Sequence, residues 1–288
     1  MKDMESVDEK NFLNNFELTN VCQDGVISIM CAPYDCNTNP MSSITASLVY
    51  SDKSRVKCAA AIIAPKWAIS SYTCLVESPD FVPTKFRNLD NWSLLLPNDT
   101  IEFNSSSAEF TKIRISRMHV HAHTKFSHLM YSNDIVLMEL ENPLQFTDKL
   151  KPVCLSRAPI NETQSCAISS WNLDADGETI KFYSENITIS TKDTCNSTDL
   201  FSGSLPVDSV CSDLRNQLYN ETILACNVSD GALLSCKPES SDSWALQGLV
   251  SFNGGCGRGP QSIAYSLITD DIMRWIQNQV GNSLMFKS

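Results

Sequence analysis

The chain has 288 residues, with 22 basic and 33 acidic side chains and a formal net charge of −11. This balance argues against a nucleic-acid-binding protein, which needs clustered Lys and Arg, and a hydrophobic content of 42% is enough for a packed core and excludes a disordered chain. The 12 Cys against 10 Gly predict disulfides and an oxidising compartment, and they argue against a glycine-rich phosphate loop.

The first 40 residues differ from the rest of the chain. They hold Cys22, Cys31 and Cys36, and little that could join a core apart from Val26–Met30. Residues 1–16 are acidic and lack the apolar stretch of a signal peptide, and no run of about 18 apolar residues occurs anywhere. We therefore expect a separate N-terminal segment over residues 1–40, no membrane segment in this chain, and a larger secreted or membrane-anchored parent protein.

From Ile44 onward, short apolar runs rich in β-forming residues alternate with polar turns, which predicts an all-β barrel or sandwich. The clearest runs are Ala59–Ile63, Trp67–Ser71, Ile135–Leu140, Cys166–Trp171 and Leu246–Phe252. Near the C-terminus, Asp270 and Asp271 can cap a helix with one apolar face. The apolar residues of that face are Ile272, Trp275, Ile276 and Val280.

Asn-x-Ser/Thr sequons are frequent and indicate the secretory pathway. The eight sequon residues are Asn91, Asn98, Asn104, Asn161, Asn186, Asn196, Asn220 and Asn227. Together with the cysteines they predict a glycosylated protein that is extracellular or at the cell surface. The alternative is a cytosolic chain whose sequons are unused.

Four segments, in order along the chain, resemble the chymotrypsin/trypsin-like serine proteases. Residues 58–74 (CAAAIIAPKWAISSYTC) resemble the family's CGGSLISPEWVLTAAHC, with the same spacing between the cysteines. Residues 133–140 (NDIVLMEL) and 151–155 (KPVCL) resemble NDIALLKL and the PVCL that follows it. Residues 226–236 (CNVSDGALLSC) stand in the place of CxGDSGGPLVC, and residues 248–252 (GLVSF) and 265–276 correspond to GIVSW and YTRV…WI.

The resemblance covers roughly residues 41–280 and implies a serine-protease homology domain over residues 41–288. The implied fold is two six-stranded antiparallel β-barrels with a cleft between them and a C-terminal α-helix. The resemblance also implies the pairing of the cysteines. The implied pairs are Cys58–Cys74, Cys166–Cys236, Cys195–Cys211, Cys226–Cys256 and Cys36–Cys154.

Cys22 and Cys31 remain outside those pairs. The segment from Cys22 to Cys36 resembles the tail of a scavenger-receptor cysteine-rich domain, which precedes the protease domain in corin-like, type II transmembrane serine proteases. In such proteins both cysteines pair with earlier ones. Here they either pair with each other or belong to a truncated chain.

The chemistry of this family needs a Ser nucleophile, a His base, an Asp that orients the His, and backbone N–H donors for the oxyanion. The His position is Thr73, whose hydroxyl does not titrate near neutral pH and cannot act as the base. The orienting acid is kept as Asp134. The Ser position falls on Asp230, or on Gly231 with a shift of one residue, and a Gly of the oxyanion hole is replaced by Val228.

The specificity pocket and the activation signal differ from the family as well. The pocket floor is Leu224, which has no carboxylate to attract Arg or Lys, and Ile263 replaces a Gly of the pocket wall. No basic residue lies between Cys36 and Asp52, and nothing resembles the IVGG start of an activated protease. The family's acid that would pair with the new N-terminus is replaced by Ser229.

Two further groups have open interpretations. Asp134 and Asp230 should lie close together, as a carboxylate pair sharing a proton, as a weak oxygen-ligand cation site or, in the interpretation we favour, as solvated or hydrogen-bonded remnants. His119, His121 and His123 would share one face of a strand, where a zinc site is the alternative to a solvated face. Because no fourth ligand is evident, no metal and no cofactor are expected.

The favoured function is a non-catalytic extracellular serine-protease homologue that acts as a protein-binding or regulatory module for an extracellular protein partner. A glycan at Asn227, on the former active-site loop, would cover the cleft and agree with this reading; an unused sequon is the alternative. The competing functions are an active trypsin-like endopeptidase and a passive domain of a larger membrane-anchored mosaic protein. Thr73 and Asp230 discriminate between the favoured non-catalytic function and an active endopeptidase.

Overall fold

The computed structural model of the chain describes residues 45–50, 56–76, 89–97, 110–127, 129–147, 150–157, 159–173, 180–197, 201–214, 228–237, 244–254 and 262–280. The predicted N-terminal segment over residues 1–40 lies outside this part of the chain. Within it, antiparallel β-strands dominate, as the short apolar runs of the sequence indicate.

The first half of the described chain folds into a closed antiparallel barrel. Its strands are β1 (Thr45–Tyr50), β2 (Val56–Ala64), β3 (Trp67–Ser70), β4 (Trp92–Pro97), β5 (Phe110–Val120), β6 (Lys125–Ser127), β7 (Met130–Ser132) and β8 (Val136–Leu140). Six of them close the barrel in the order β1-β2-β3-β8-β5-β4, and β6 pairs with β7 in a separate hairpin.

The second half forms six more strands and two helices. They are β9 (Ser165–Leu173), β10 (Ile180–Ile187), α1 (Lys192–Cys195), β11 (Ser209–Asp213), β12 (Leu233–Lys237), β13 (Ala245–Asn253), β14 (Ser262–Leu267) and α2 (Asp270–Val280). The strands form one antiparallel sheet in the order β10-β9-β12-β13-β14-β11. A bridge between Ser190, just after β10, and Cys211 on β11 brings the two edges of this sheet together. Two six-stranded units and a terminal helix confirm the predicted fold class.

Strand β2 is buried on both faces and belongs to two cores. Ala60 and Ile62 pack inside the first barrel, whereas Ala61 and Ile63 pack in a core shared with the second sheet. A strand buried on both faces needs apolar residues at every position, which explains why residues 59–64 are apolar without alternation. The two halves therefore share a continuous hydrophobic core.

Three of the disulfides that the resemblance implies are bonded in the structure: Cys58–Cys74, Cys166–Cys236 and Cys195–Cys211. Cys154 is disulfide-bonded as well. The remaining cysteines of the implied pairs, Cys36, Cys226 and Cys256, lie outside the described residues.

Helix α2 is amphipathic, but its cap differs from the sequence-based expectation. The hydroxyl of Thr269 accepts a hydrogen bond from the N–H of Ile272 at 3.3 Å, so Thr269 is the cap, and Asp270 and Asp271 occupy the first turn. The buried residues of α2 are Ile272, Met273, Ile276 and Val280, while Trp275 is half-buried. Among the described residues, no helix is both long and apolar enough to cross a membrane.

Candidate functional site at the junction of the two barrels

The three residues at the catalytic positions of the resemblance come from three elements. Thr73 begins a short 3₁₀ turn after β3 (Thr73–Leu75), Asp134 lies just before β8, and Asp230 lies in the turn that precedes β12. The fold brings the first two into direct contact. Asp230 is close enough for its charge to raise the pKa of Asp134, so all three meet where the first barrel faces the second sheet.

The carboxylate of Asp134 is fully buried and is held by donors from both halves of the molecule. Thr73 donates twice, from its N–H to Oδ1 and from its hydroxyl to Oδ2, both at 2.7 Å. The hydroxyl of Ser251, on β13, also donates to Oδ2. The N–H of Asp134 itself donates to the hydroxyl of Ser266 at 3.1 Å. Both carboxylate oxygens are thus engaged by the protein.

Burial raises the pKa of Asp134 to about 7. The hydrogen bonds from Ser251 and Thr73 oppose that rise, and the negative charge of Asp230 adds a smaller increase. The pKa of the neighbouring Tyr72 is also raised, first by burial and then by the charge of Asp134. The carboxyl group of Asp134 can therefore hold a proton close to neutral pH.

The turn that carries Asp230 needs a glycine after it. Gly231 has φ +74°, and a Cβ there would lie 2.5 Å from both the carbonyl oxygen of Ala59 and the hydroxyl of Ser70. The N–H of Ala59 donates to the carbonyl of Asp230 at 3.0 Å, which ties this turn to β2. Gly231 is thus fixed by backbone geometry, and Asp230, which is half-buried, remains at the tip of the turn.

The residues before Asp230 are held by side chains of the second sheet. The hydroxyls of Ser229 and Ser170 are 2.7 Å apart, and the N–H of Ser229 donates to the Ser170 hydroxyl at 3.3 Å. The amide of Asn253 donates to the carbonyl of Val228 at 2.9 Å, and the side chain of Val228 is buried. A pair of neutral hydroxyls therefore stands at the position where the resemblance expects a buried ion pair.

Ile263 fills space inside the second half. It lies on β14 between Ser212 of β11 and Asn253 of β13, is fully buried and belongs to the shared core. Leu224, the predicted pocket floor, lies outside the described residues.

A family model described as Trypsin matches residues 34–276, which include every strand described above and most of α2. The chain belongs to the trypsin family. The match includes the segments in which Thr73, Asp134 and Asp230 occupy the triad positions of the resemblance. Several polar residues of this trypsin-family site were missed by the sequence reasoning, among them Ser251, Ser266 and Ser170. Ser251 and Ser266 lie in the segments that resemble GIVSW and YTRV…WI, which could have pointed to them, whereas Ser170 lies in no such segment.

The predicted row of solvated histidines on one strand face is wrong for His121, which is buried, and both His121 and His123 lie beyond the end of β5. His119, near the end of β5, is half-buried and packs against the ring of Trp67, with ring centroids 5.4 Å apart. His121 and His123 follow in the turn after β5, where His121 is only 7% exposed because the ring of Trp275 covers it. Both lie beside Asp271 of α2.

The four described sequons differ in exposure. Asn161 and Asn186 are exposed, whereas Asn91 and Asn196 are half-buried. The Oδ1 of Asn161 accepts hydrogen bonds from the N–H and the hydroxyl of Thr163 at 3.1 and 2.8 Å. The sequons at Asn98, Asn104, Asn220 and Asn227 lie outside the described residues.

Proposed function

We propose that this trypsin-family chain is a non-catalytic extracellular homologue that acts by binding a protein partner. The observation that carries the proposal is the double hydrogen bond from Thr73 to Asp134. In an acyl-transfer triad the buried acid holds the imidazole that moves the proton of the nucleophile. Here the acid is bonded to a backbone N–H and a hydroxyl, and neither group can take up that proton.

The neighbouring positions support the same conclusion. Asp230 is a poor nucleophile towards an amide without a base and an oxyanion hole. Ile263 occupies space that a Gly would leave open for a substrate side chain. Losing the base, the nucleophile and the pocket together removes the proton transfer, the attacking group and the side-chain binding that the triad mechanism uses.

An active endopeptidase is the main alternative, and a fluorophosphonate probe separates the two. The secreted full chain should remain unlabelled under conditions that label an active trypsin. The double variant Thr73→His/Asp230→Ser tests whether these two positions account for the loss, with the single variants as controls. Labelling of the unchanged chain at any residue would overturn the proposal.

A hydrolase site made of Asp134 and Asp230 is a weaker alternative. An acid pair of this kind needs two carboxylates that share a proton and face a substrate. Asp134 instead is fully buried, and both of its oxygens accept hydrogen bonds from the protein. Peptide hydrolysis between pH 4 and 7 that is lost in both Asp134→Asn and Asp230→Asn would favour this alternative.

Two exposed apolar side chains mark a surface for a partner, which we call the Leu129–Val207 surface. Leu129, in the turn between β6 and β7, is 50% exposed, and Val207, in the turn before β11, is 88% exposed. The segments that carry them pack together through Met130 and Leu205 in one small core. We propose that these two side chains contact the partner, because the turns that carry them adjoin through this core.

A photo-crosslinking amino acid placed at Val207 or Leu129 tests this surface. Both positions should yield the same crosslinked protein from cell-surface preparations, and the exposed position of Arg117 on β5 should not. A crosslink pattern that is identical at all three positions would contradict a specific surface.

The extracellular assignment rests on the disulfides and the exposed sequons. Disulfides persist in oxidising compartments, and Asn161 and Asn186 are accessible to glycosylation. Glycopeptide mapping of secreted material should find glycans at these two residues.

We further propose that the chain is part of a membrane-anchored mosaic protein of the corin-like type, which the transcript upstream of Met1 would reveal as receptor-type or membrane-anchor sequence.

A further inference from the structure

We propose that His121, His123 and Asp271 bind a zinc ion that joins the turn after β5 to the first turn of helix α2. One nitrogen of each imidazole and one carboxylate oxygen lie within 4.8 Å of one another. Asp271 is distant in the sequence from the two histidines, and the packing of helix α2 beside the turn after β5 brings it to them. The third ligand is therefore an aspartate of that helix and not His119.

The spacing of the three atoms suits a tetrahedral ion. Ligands at about 2.0–2.2 Å from zinc stand roughly 3.4 Å from one another in a tetrahedron. The distance from Asp271 Oδ2 to His121 Nε2 is 3.4 Å, and that to His123 Nδ1 is 3.9 Å. The second distance requires a shift of roughly half an ångström. His123 can make this shift because its side chain is 77% exposed.

His121 is the anchored member of the group. It is almost completely buried, and the ring of Trp275 packs edge-on against it at a centroid distance of 5.2 Å. Burial and the contact with Trp275 thus fix the position of this imidazole.

One contact must change when the ion binds. The N–H of His123 donates a long hydrogen bond of 3.4 Å to Nδ1 of His121. A neutral ring that binds zinc through Nε2 carries its proton on Nδ1, so this bond is lost. At this length it is a weak bond, and the metal–nitrogen contact replaces it.

The charge around the group favours a cation. Asp208 adds a second negative charge near His121, and its Oδ1 is buried without a hydrogen-bond partner among the described residues. Arg274 competes with the ion for Asp271, but its Nη2 lies 3.7 Å from Oδ1, which is not the oxygen that faces the histidines. The zinc ion and Arg274 would therefore contact different oxygens of the same carboxylate.

The ligand set selects the kind of metal. Two imidazoles and one carboxylate suit zinc, whereas calcium and magnesium prefer oxygen ligands only. Three protein ligands leave the fourth position of the ion to water or to a group of a partner. The exposure of His123 makes that position accessible from solvent.

Isothermal titration of the full secreted chain, purified without a polyhistidine tag, tests the proposal with zinc chloride as the probe. Asp271→Asn should weaken zinc binding by about tenfold or more. Asp270→Asn is the matched control, because it removes the same charge from the adjacent residue, which pairs with Arg157 instead. This control should bind zinc as the unchanged chain does.

Two further variants and a spectroscopic probe complete the test. His123→Ala should weaken binding by a similar factor without loss of folding, since the side chain is exposed, and Arg274→Gln should leave binding unchanged or tighten it. Cobalt(II) in the site should give the visible absorption of a tetrahedral complex, which His123→Ala should remove. Equal zinc affinity in Asp271→Asn and Asp270→Asn, or no binding at zinc concentrations up to about 1 mM, would overturn the proposal.

Discussion

At the scale of single residues, Asp134 is the most informative group in the protein. A buried carboxylate is expensive unless it is hydrogen-bonded, and the protein supplies three donors to it, two from Thr73 and one from Ser251. In an acyl-transfer triad the charge of this acid is used to stabilise an imidazolium. The hydroxyls of Thr73 and Ser251 and the N–H of Thr73 are neutral donors, so they do not balance the charge of an ionised Asp134, and its ionisation has a cost.

Asp134→Asn should reveal that cost as a change in the pH dependence of stability. The pKa of Asp134 is about 7 in the folded chain against an ordinary value of 3.8, so the folded state holds a proton that the unfolded state releases between these values. The group's stabilising contribution is complete below about pH 3.8 and is lost as the pH rises through 7, a change of about 4 kcal/mol. The asparagine does not ionise and keeps its stability over this range.

Urea titrations at intervals from pH 4 to pH 8 measure the difference between the two chains. The free energy of unfolding of the variant, relative to that of the unchanged protein, should increase steadily as the pH rises. The variant should be the more stable of the two at pH 8. The asparagine can still accept from the N–H of Thr73, while the hydroxyls of Thr73 and Ser251 rotate to accept from its amide. Parallel stability curves for the two proteins would contradict a raised pKa.

Ile263 gives a second test at the same scale. Because its side chain is fully buried in the shared core, Ile263→Ala should reduce the free energy of unfolding by about 2–5 kcal/mol, and the matched control Ile263→Val by about 0.5–1.5 kcal/mol. Neither variant should cleave peptides. Urea titration and a peptide-hydrolysis assay measure the two expectations, and an unchanged stability of Ile263→Ala would show that the residue lines an open pocket instead.

At the scale of elements, the turn before β12 is held without the activation step of a trypsin-like zymogen. In the family that the chain resembles, an acid at the position of Ser229 pairs with the new N-terminus that cleavage creates. Ser229 instead bonds to Ser170 on β9, and Gly231 and Val250 fix the rest of the turn through a backbone hydrogen bond of 2.8 Å. The uncleaved chain therefore already contains an ordered turn at this position.

Hydrogen exchange of the segment 228–237 tests this order. In the uncleaved chain the N–H groups of Gly231 and Ala232 should be protected, since both are hydrogen-bonded to backbone carbonyls. Ser170→Ala and Ser229→Ala should each cost about 1 kcal/mol and speed exchange of this segment. The double variant should cost less than the sum of the two single variants, because both remove the bond between the two hydroxyls. Ser165→Ala, at an exposed position of β9, is the control, and fast exchange in the unchanged chain would contradict the claim.

The elements also indicate what could be predicted from the sequence. The strands were predictable because β2, β3, β8, β9 and β13 are apolar runs between polar turns, and helix α2 because its apolar residues recur at helical spacing. The cap at Thr269 was missed because a Thr and two Asp residues in succession are all competent caps, and only the backbone geometry chooses between them.

The site was predictable only where it follows a motif of fixed spacing. Thr73, Asp134 and Asp230 were found because each lies at a set distance from a Cys or within a short signature. Ser170 and the pairing of His121 with Asp271 were not, because these contacts join distant segments of the chain through tertiary packing. The burial of His121 depends in the same way on Trp275, which reaches it from a different element.

At the scale of the whole molecule, the two six-stranded units are coupled by more than the chain that connects them. Residues of β2, β3 and β8 share one hydrophobic core with residues of β9, β12, β13 and β14. The indole N–H of Trp171, on β9, also donates to the carbonyl of Thr45, on β1, at 2.9 Å, and its ring packs against Phe110 of β5. A shared core of this kind makes separate unfolding of either half unfavourable.

Calorimetry should therefore record a single unfolding transition, and Trp171→Phe should lower its midpoint without splitting it. The substitution keeps an aromatic ring in the buried site but removes the hydrogen bond to Thr45, which should reduce the free energy of unfolding by about 1–3 kcal/mol. Phe182→Leu, which alters packing against Trp171 from within the second sheet, serves as the control and leaves the hydrogen bond between the halves intact. Because the core is common to both halves, the reduced free energy of unfolding should apply to the whole molecule as one cooperative unit. Two resolved transitions in the unchanged chain or in Trp171→Phe would show instead that the two halves fold as independent units.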